Sequence, residues 1–289
     1  MQAIKVVAQF LLRRLGLYHR LKASTLYDCY WCIADKRVID QRTGEIEFYR
    51  QLLTGYQPGN LIFDIGASRG FKTDIFLRLG ANVVAVEPDE LNEEILKQKF
   101  LKYRFTKKPV VVLGKAVSDS QTIETIWIDA PGSANNSLSR KWVETLRGDK
   151  ERFGKSLNFS RKRQVETVTL EQLIDAYGLP FFVKIDVEGY EVNVLRGLHC
   201  PVPFVSFELN LPEFEPEGQE CIELLDRVAA GGSFNFAADD CLQGLAMQQW
   251  LERREFAEIL RNCNEKCIEV FWAAPAAGGN ATKLGRAAA

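Results

Sequence analysis

The sequence predicts an α/β protein built on a doubly wound, mostly parallel sheet with an N-terminal helical extension. Three observations lead there. Short apolar runs at 61–66, 83–86 and 110–113 alternate with helical patterns at 71–79 and 90–102. The same rhythm returns after residue 181. The first run ends in a glycine-bearing loop, Asp64-Ile-Gly66-Ala67-Ser68-Arg69-Gly70, and the second in Glu87-Pro88. Strand, helix, strand in succession calls for right-handed crossovers, and strands buried on both faces read as unbroken apolar runs.

Taken in order, residues 1–27 carry Lys5, Arg13, Arg14, Arg20 and Lys22 and no acid. Val7, Leu11, Leu12, Leu15 and Tyr18 recur there at helical spacing. This is a basic amphipathic helix, either docked on an anionic membrane surface or packed on its own domain with the basic face in water. Helical sequence continues to Pro58-Gly59, so 1–58 is set apart as an extension and 59–275 as the α/β domain. Within the domain, 122–128 alternates polar and apolar residues and reads as a strand. A polar loop follows at 131–139, then a basic stretch, 140–163, with nine Lys or Arg against three acids. The second block has strands at 181–186, 204–208, 233–238 and 267–273, with helices at 190–198, near 218–230 and near 250–262. The Ala- and Gly-rich residues 276–289 read as a disordered tail. There are no internal repeats.

Composition narrows the function. The chain has 289 residues, 46% hydrophobic and 26% charged, with a net charge of −1. That gives no global reason to expect nucleic acid as a partner. The seven cysteines are odd in number and irregularly spaced, which argues against a disulfide framework and for reduced thiols in the cytoplasm. Cys29 and Cys32 form a lone C-x-x-C, and with only His19 and His199 in the chain a four-ligand zinc site lacks partners. No apolar stretch approaches the ~20 residues of a membrane span, and residues 6–12 lack the cleavage site of a signal peptide.

In an open parallel sheet, ligands bind at the carboxyl ends of the strands. Three chemistries compete for the loop after residue 64. A dinucleotide site wants G-x-G-x-x-G, and this loop has G-x-x-x-G. A P-loop wants G-x-x-x-x-G-K-[ST]; here the glycines are one residue too close and Phe71 precedes Lys72-Thr73. S-adenosylmethionine needs close backbone approach without a phosphate clamp. Glu87, 23 residues beyond Asp64, can accept hydrogen bonds from both hydroxyls of an adenosine ribose. Loop capping is the alternative role for Asp64 and Glu87.

An ordered set of motifs resembles the FkbM-family methyltransferases. It comprises Leu61-Ile-Phe-Asp-Ile-Gly-Ala-Ser-Arg-Gly-Phe-Lys-Thr73, Val84-Ala-Val-Glu-Pro-Asp89 and Lys115-Ala-Val-Ser-Asp119. Val165-Glu-Thr-Val-Thr-Leu-Glu-Gln-Leu173, Val183-Lys-Ile-Asp-Val-Glu-Gly-Tyr-Glu191 and Val194-Leu-Arg-Gly197 complete it. The likeness covers about residues 59–210; Ser68-Arg69 departs from the expected Asn and apolar residue. It implies a Rossmann-like class I methyltransferase that uses S-adenosylmethionine, acting on oxygen. By it, Asp64, Gly66, Ala67 and Gly70 face the methionine part of the cofactor, Glu87 the ribose, and Ser118 and Asp119 the adenine.

A hydroxyl acceptor must lose a proton, so a base or a metal helps. His199 falls at the wrong edge of the sheet and His19 outside the core motifs. Asp186 and Glu188, just past their strand, are the candidate bases, with turn-shaping as the alternative role. Glu208 and Asn210 open on the same crevice as substrate-binding candidates. Mg²⁺ on Asp186, Glu208 and Asn210 is the alternative to a carboxylate base. Lys184, inside an apolar strand, reads as an ion-paired structural lysine. Asn135, Asn136, Ser137 and Lys141 are expected to border the acceptor site, the basic stretch favouring an anionic acceptor. The alternative for that stretch is a solvated helix face and a mobile loop. The family habit points to a carbohydrate or polysaccharide-precursor hydroxyl. A lipid or polyketide-like acceptor and a non-catalytic scaffold docked through residues 1–27 are the alternatives.

Overall fold

In a computed structural model of the chain, the described residues are Leu12, Arg14, 36–101, 103, 110–148, 157–238 and 244–275. The expectations for residues 1–27, for Cys29, Cys32 and His19, and for the tail 276–289 lie outside them.

The chain begins its described course with helix α1 (Lys36–Leu52). Strand β1 (Leu61–Ile65), helix α2 (Phe71–Leu79), strand β2 (Asn82–Val86), helix α3 (Glu90–Lys99) and strand β3 (Val110–Leu113) then follow in the predicted order. Next come β4 (Ala116–Val117), β5 (Ile123–Ile128), α4 (Arg140–Gly148), β6 (Arg161–Val168) and α5 (Leu170–Tyr177). The second block is β7 (Phe182–Ile185), α6 (Glu191–Arg196), β8 (Phe204–Asn210), α7 (Glu215–Val228), β9 (Ser233–Ala238), β10 (Leu251–Glu252), α8 (Arg253–Arg261) and β11 (Cys267–Ala273).

The central sheet has the order β10-β9-β11-β8-β7-β1-β2-β3. Strands β8, β7, β1, β2 and β3 are parallel, whereas β11 lies antiparallel between β8 and β9. The winding reverses between β1 and β7, which is where an open sheet leaves a crevice. A small sheet, β4-β6-β5, is inserted between the two halves. The described part of the basic stretch is a helix with its charged side, Arg140, Glu144 and Arg147, exposed, and a strand rather than only a loop. Helix α4 buries Trp142, Val143 and Leu146, and β6 pairs with β5 from Arg161 to Glu166.

Alternation along the strands sorts the core into two layers. Phe63 and Ile65 of β1 and Val183 and Ile185 of β7 face α4 to α8, with Phe207, Val270 and Trp272. Ile62, Phe182, Phe204 and Phe271 face α1 and α2, whose Tyr49, Leu52, Ile75 and Phe76 are buried against them. Helix α1 thus covers one face of the sheet rather than standing apart from it. Three in-register positions on that face are polar: Asp64 lies opposite Lys184, and Lys184 opposite Ser206.

Candidate active site

The carboxyl ends of β1, β2 and β7 and the strand β4 line a cleft at the switch point of the sheet, where an open sheet binds its ligand. Its floor holds Ile65, Gly66, Ser68, Val86 and Glu87. Lys115, Ala116 and Val117 close one end, and Asp186, Val187, Glu188 and Tyr190 the other side. Ser133, Asn136, Ser137 and Leu138 of the β5–α4 loop form a roof.

The backbone at this edge is unusual. Gly66 has φ +81, and a Cβ there would lie 1.7 Å from the Asp186 carbonyl oxygen. The close approach of the β1 and β7 ends therefore requires glycine. Ser68 (φ 46) and Glu188 (φ 57) are the non-glycine residues with positive φ among the described residues, and both line the cleft. Such positions cost about 1–3 kcal/mol each and persist where neighbours hold them. For Glu188 the holder is buried Glu191, whose Oε1 accepts the Val187 and Gly189 N–H groups, each at 3.2 Å. Burial pushes the Glu191 carboxyl up to about 7.

Glu87 is 6% exposed. Its two carboxylate oxygens accept the Ser68 and Asp89 N–H groups, both at 2.7 Å. Burial raises its pKa to about 7 despite these bonds. The second acidic group is a set. Asp186, Glu188 and Glu208 bring oxygens within 4.8 Å of one another. Burial, then repulsion from Glu208 and Asp186, pushes Glu188 well above the usual carboxylate range. Burial and the Asp186 charge push Glu208 up to about 8. Behind them Lys184, 3% exposed, donates to Asp186 Oδ2 at 2.8 Å. Burial alone would lower the Lys184 ammonium, but Asp186, Glu269 and Asp64 outweigh it and hold it charged.

The structure brings some of the predicted residues together and not others. Gly66, Glu87, Asn136, Ser137, Asp186 and Glu188 line the cleft. Asp64 does not: it is 1% exposed and its Oδ2 accepts Thr73 Oγ1 at 2.5 Å. Ala67 and Gly70 lie behind Gly66 in the same loop, outside the lining. Ser118 is buried, its hydroxyl bonded to Glu124 and Tyr190, while Asp119 is exposed. Lys141 turns to Glu217 at 2.7 Å and over the Phe214 ring, away from the lining. Asn135 is outside the lining, and the Asn210 amide donates to Glu208 at 3.3 Å. Lys115, Tyr190, Asn92 and Ser133 line the cleft without having been singled out. Lys115 and Tyr190 do fall within the resembling motifs, which was the available signal.

Arg69, the departure in the first motif, reaches the Gly132 carbonyl at 2.9 Å. It serves the roof and leaves the floor to Gly66, Ser68 and Glu87. The residues therefore fit S-adenosylmethionine: bare backbone at Gly66, a carboxylate for two hydroxyls at Glu87, and an open cleft between them.

Sheet order, switch-point cleft and strand-end carboxylate define a Rossmann-like α/β protein, and its family match makes it an S-adenosylmethionine-dependent methyltransferase. The methyltransferase FkbM domain matches residues 64–236, and the chain belongs to that family. Nothing among curated proteins matches the chain. Solved structures similar to it include the C-terminal domain of precorrin-6Y C5,15-methyltransferase from Rhodobacter capsulatus, at 10% identity and TM-score 0.37, over 77% of this chain and 84% of that one. A TehB-like SAM-dependent methyltransferase from Corynebacterium glutamicum has 11% identity and TM-score 0.36, over 80% and 87%. The O-methyltransferase from Bacillus cereus in complex with SAH has 16% identity and TM-score 0.32, over 78% and 79%. Among the described residues, no helix is long and apolar enough to cross a membrane.

Proposed function

We propose that the protein methylates a hydroxyl group of a carbohydrate or polysaccharide precursor. One observation carries the oxygen part of this reading: the carboxylates of Asp186, Glu188 and Glu208 gather beside the Glu87 cleft, with oxygens within 4.8 Å. When bound, S-adenosylmethionine supplies an electrophilic methyl group. The chain must hold the acceptor oxygen in line with that group and take its proton. A carboxylate whose pKa is raised by burial and like charge is a better base near neutral pH than an ordinary one. Asp186 and Glu188 are the candidate bases because both line the cleft. Lys184 fixes Asp186 from behind, and Glu191 fixes the turn that carries Glu188.

The sugar part rests on the family habit and on the rim. Ser133, Asn136 and Ser137 line the cleft on that rim. An anionic group on the acceptor suits the described part of the basic stretch, where Lys162 and Arg147 flank Trp127. The same three carboxylates are a hard-oxygen set that would suit Mg²⁺.

The test is turnover with S-adenosylmethionine and a panel of glycan acceptors, with and without EDTA. Asp186→Asn or Glu188→Gln should lower kcat about 100-fold or more, with cofactor affinity within about threefold. Full turnover in both variants would overturn the base assignment. Loss of activity in EDTA, restored by Mg²⁺, would favour the metal.

A further inference from the structure

The β5–α4 loop crosses the cleft, and its fastenings converge on the segments that form the cleft floor. Asp89 is the hub. It is 5% exposed, and its Oδ1 accepts the Leu91 and Asn92 N–H groups at the start of α3 and the Gly132 N–H at 3.0 Å. Its Oδ2 accepts the Asn136 amide at 3.0 Å. The rest of that amide is also committed: Nδ2 donates to the Ala130 carbonyl, and Oδ1 accepts the Asp129 N–H. Arg69, from the floor loop, donates to the Gly132 carbonyl. At the far side, Ser137 Oγ donates to the Glu188 carbonyl at 2.7 Å.

Beside this roof is a buried acceptor without a hydrogen-bond donor. Asn92 is 1% exposed and lines the cleft, and its Oδ1 has no hydrogen-bond partner. A Cβ placed on Gly132 would lie 3.1 Å from it. A buried oxygen without a donor costs stability, and the hydrogen bonds that fasten the roof offset that cost.

We propose that Asp89 is a positioning residue that latches residues 129–139 over the cofactor cleft, so that cofactor exchange requires the Asp89 and Arg69 bonds to this roof to open. The proposal rests on reading the cleft as the cofactor's. Asn136 and Ser137 then act through the roof as much as through any acceptor contact. The Arg69 departure from the family pattern becomes part of the same device.

The test compares wild type with Asp89→Asn and, separately, Arg69→Leu. Asparagine keeps the N-cap of α3 but turns an N–H₂ toward the Asn136 amide. Arg69→Leu removes the Gly132 bond and leaves Asp89 intact. Amide hydrogen exchange of peptides spanning 129–139 in the free protein should accelerate about tenfold in each variant, while Tm stays within about 2 °C. S-adenosylhomocysteine should dissociate about tenfold faster from each by stopped-flow displacement. Unchanged exchange in both variants, or faster exchange with unchanged dissociation, would overturn the proposal. A role confined to stability would instead lower Tm and leave dissociation alone, which is also contrary. Failure of wild type to bind S-adenosylhomocysteine would overturn the assignment of the cleft, and the exchange experiment would then read the latch by itself.

Discussion

The Ser68 N–H donates to Glu87 Oε2 at 2.7 Å, joining the glycine loop after β1 to the acidic end of β2. Ser68 adopts its left-handed conformation where this bond is made, so the strained residue and the Glu87 carboxylate are one unit.

The pH dependence of cofactor binding follows from Glu87. Its pKa is pushed up to about 7, chiefly by burial. Ribose hydroxyls donate to the ionised form, so binding favours loss of the proton. Affinity for S-adenosylhomocysteine should rise with pH up to about 7 and level off above it. Below that, it should weaken about tenfold per pH unit. Titration calorimetry between pH 5.5 and 8.5 checks this. Glu87→Gln should bind weakly with a flat profile; a flat profile in wild type would contradict the role given to Glu87.

The stability of the free protein runs the other way. A carboxyl whose pKa rises on folding costs stability once the unfolded chain can ionise it. Between the ordinary glutamate value of 4.5 and about 7 for Glu87 and Glu191, or about 8 for Glu208, stability should fall as pH rises. Urea denaturation at pH 5 and pH 8, without cofactor, should show the higher midpoint at pH 5. Glu191→Gln should narrow that gap.

Lys184 is the buried counter-charge for Asp64, Asp186 and Glu269. Lys184→Met leaves those carboxylates without it and should cost about 3–5 kcal/mol. The check is the urea midpoint at pH 7. A loss under about 1 kcal/mol would mean that the carboxylates find other partners.

Gly66→Ala should be more damaging than its size suggests. The new methyl group would meet the Asp186 carbonyl oxygen at 1.7 Å, at a backbone φ of +81. The expected result is about 3 kcal/mol or more of lost stability and loss of cofactor binding, read by denaturation and calorimetry. By contrast, Thr169→Ala removes the hydroxyl of the α5 capping box and nothing at the cleft. It should lower stability by about 1 kcal/mol, with cofactor affinity unchanged.

Local pattern carried much of the architecture. The mostly apolar runs ending at Ile65, Val86 and Ile185 read as strands buried on both faces, and the two charges that interrupt them, Asp64 and Lys184, lie opposite each other in the sheet. Glycine at 66 and a carboxylate at 87 mark the ligand edge for the same kind of reason: each is a residue type that its strand end needs. Strand β6 was harder to read. Its basic residues Arg161, Lys162 and Arg163 satisfy no apolar alternation, and it forms by pairing with β5.

By itself, then, the sequence determined the parallel sheet, its ligand edge and the family, since these depend on residues near one another in the chain. Tertiary structure alone decided that α1 covers the sheet, that β11 enters between β8 and β9, and that Asp64 and Lys141 turn away from the cleft. It also decided that Arg69 and Asp89 hold a roof about 40 to 60 residues away. Those outcomes depend on hydrogen bonds and ion pairs between distant segments, and such partners leave no periodic trace in the chain.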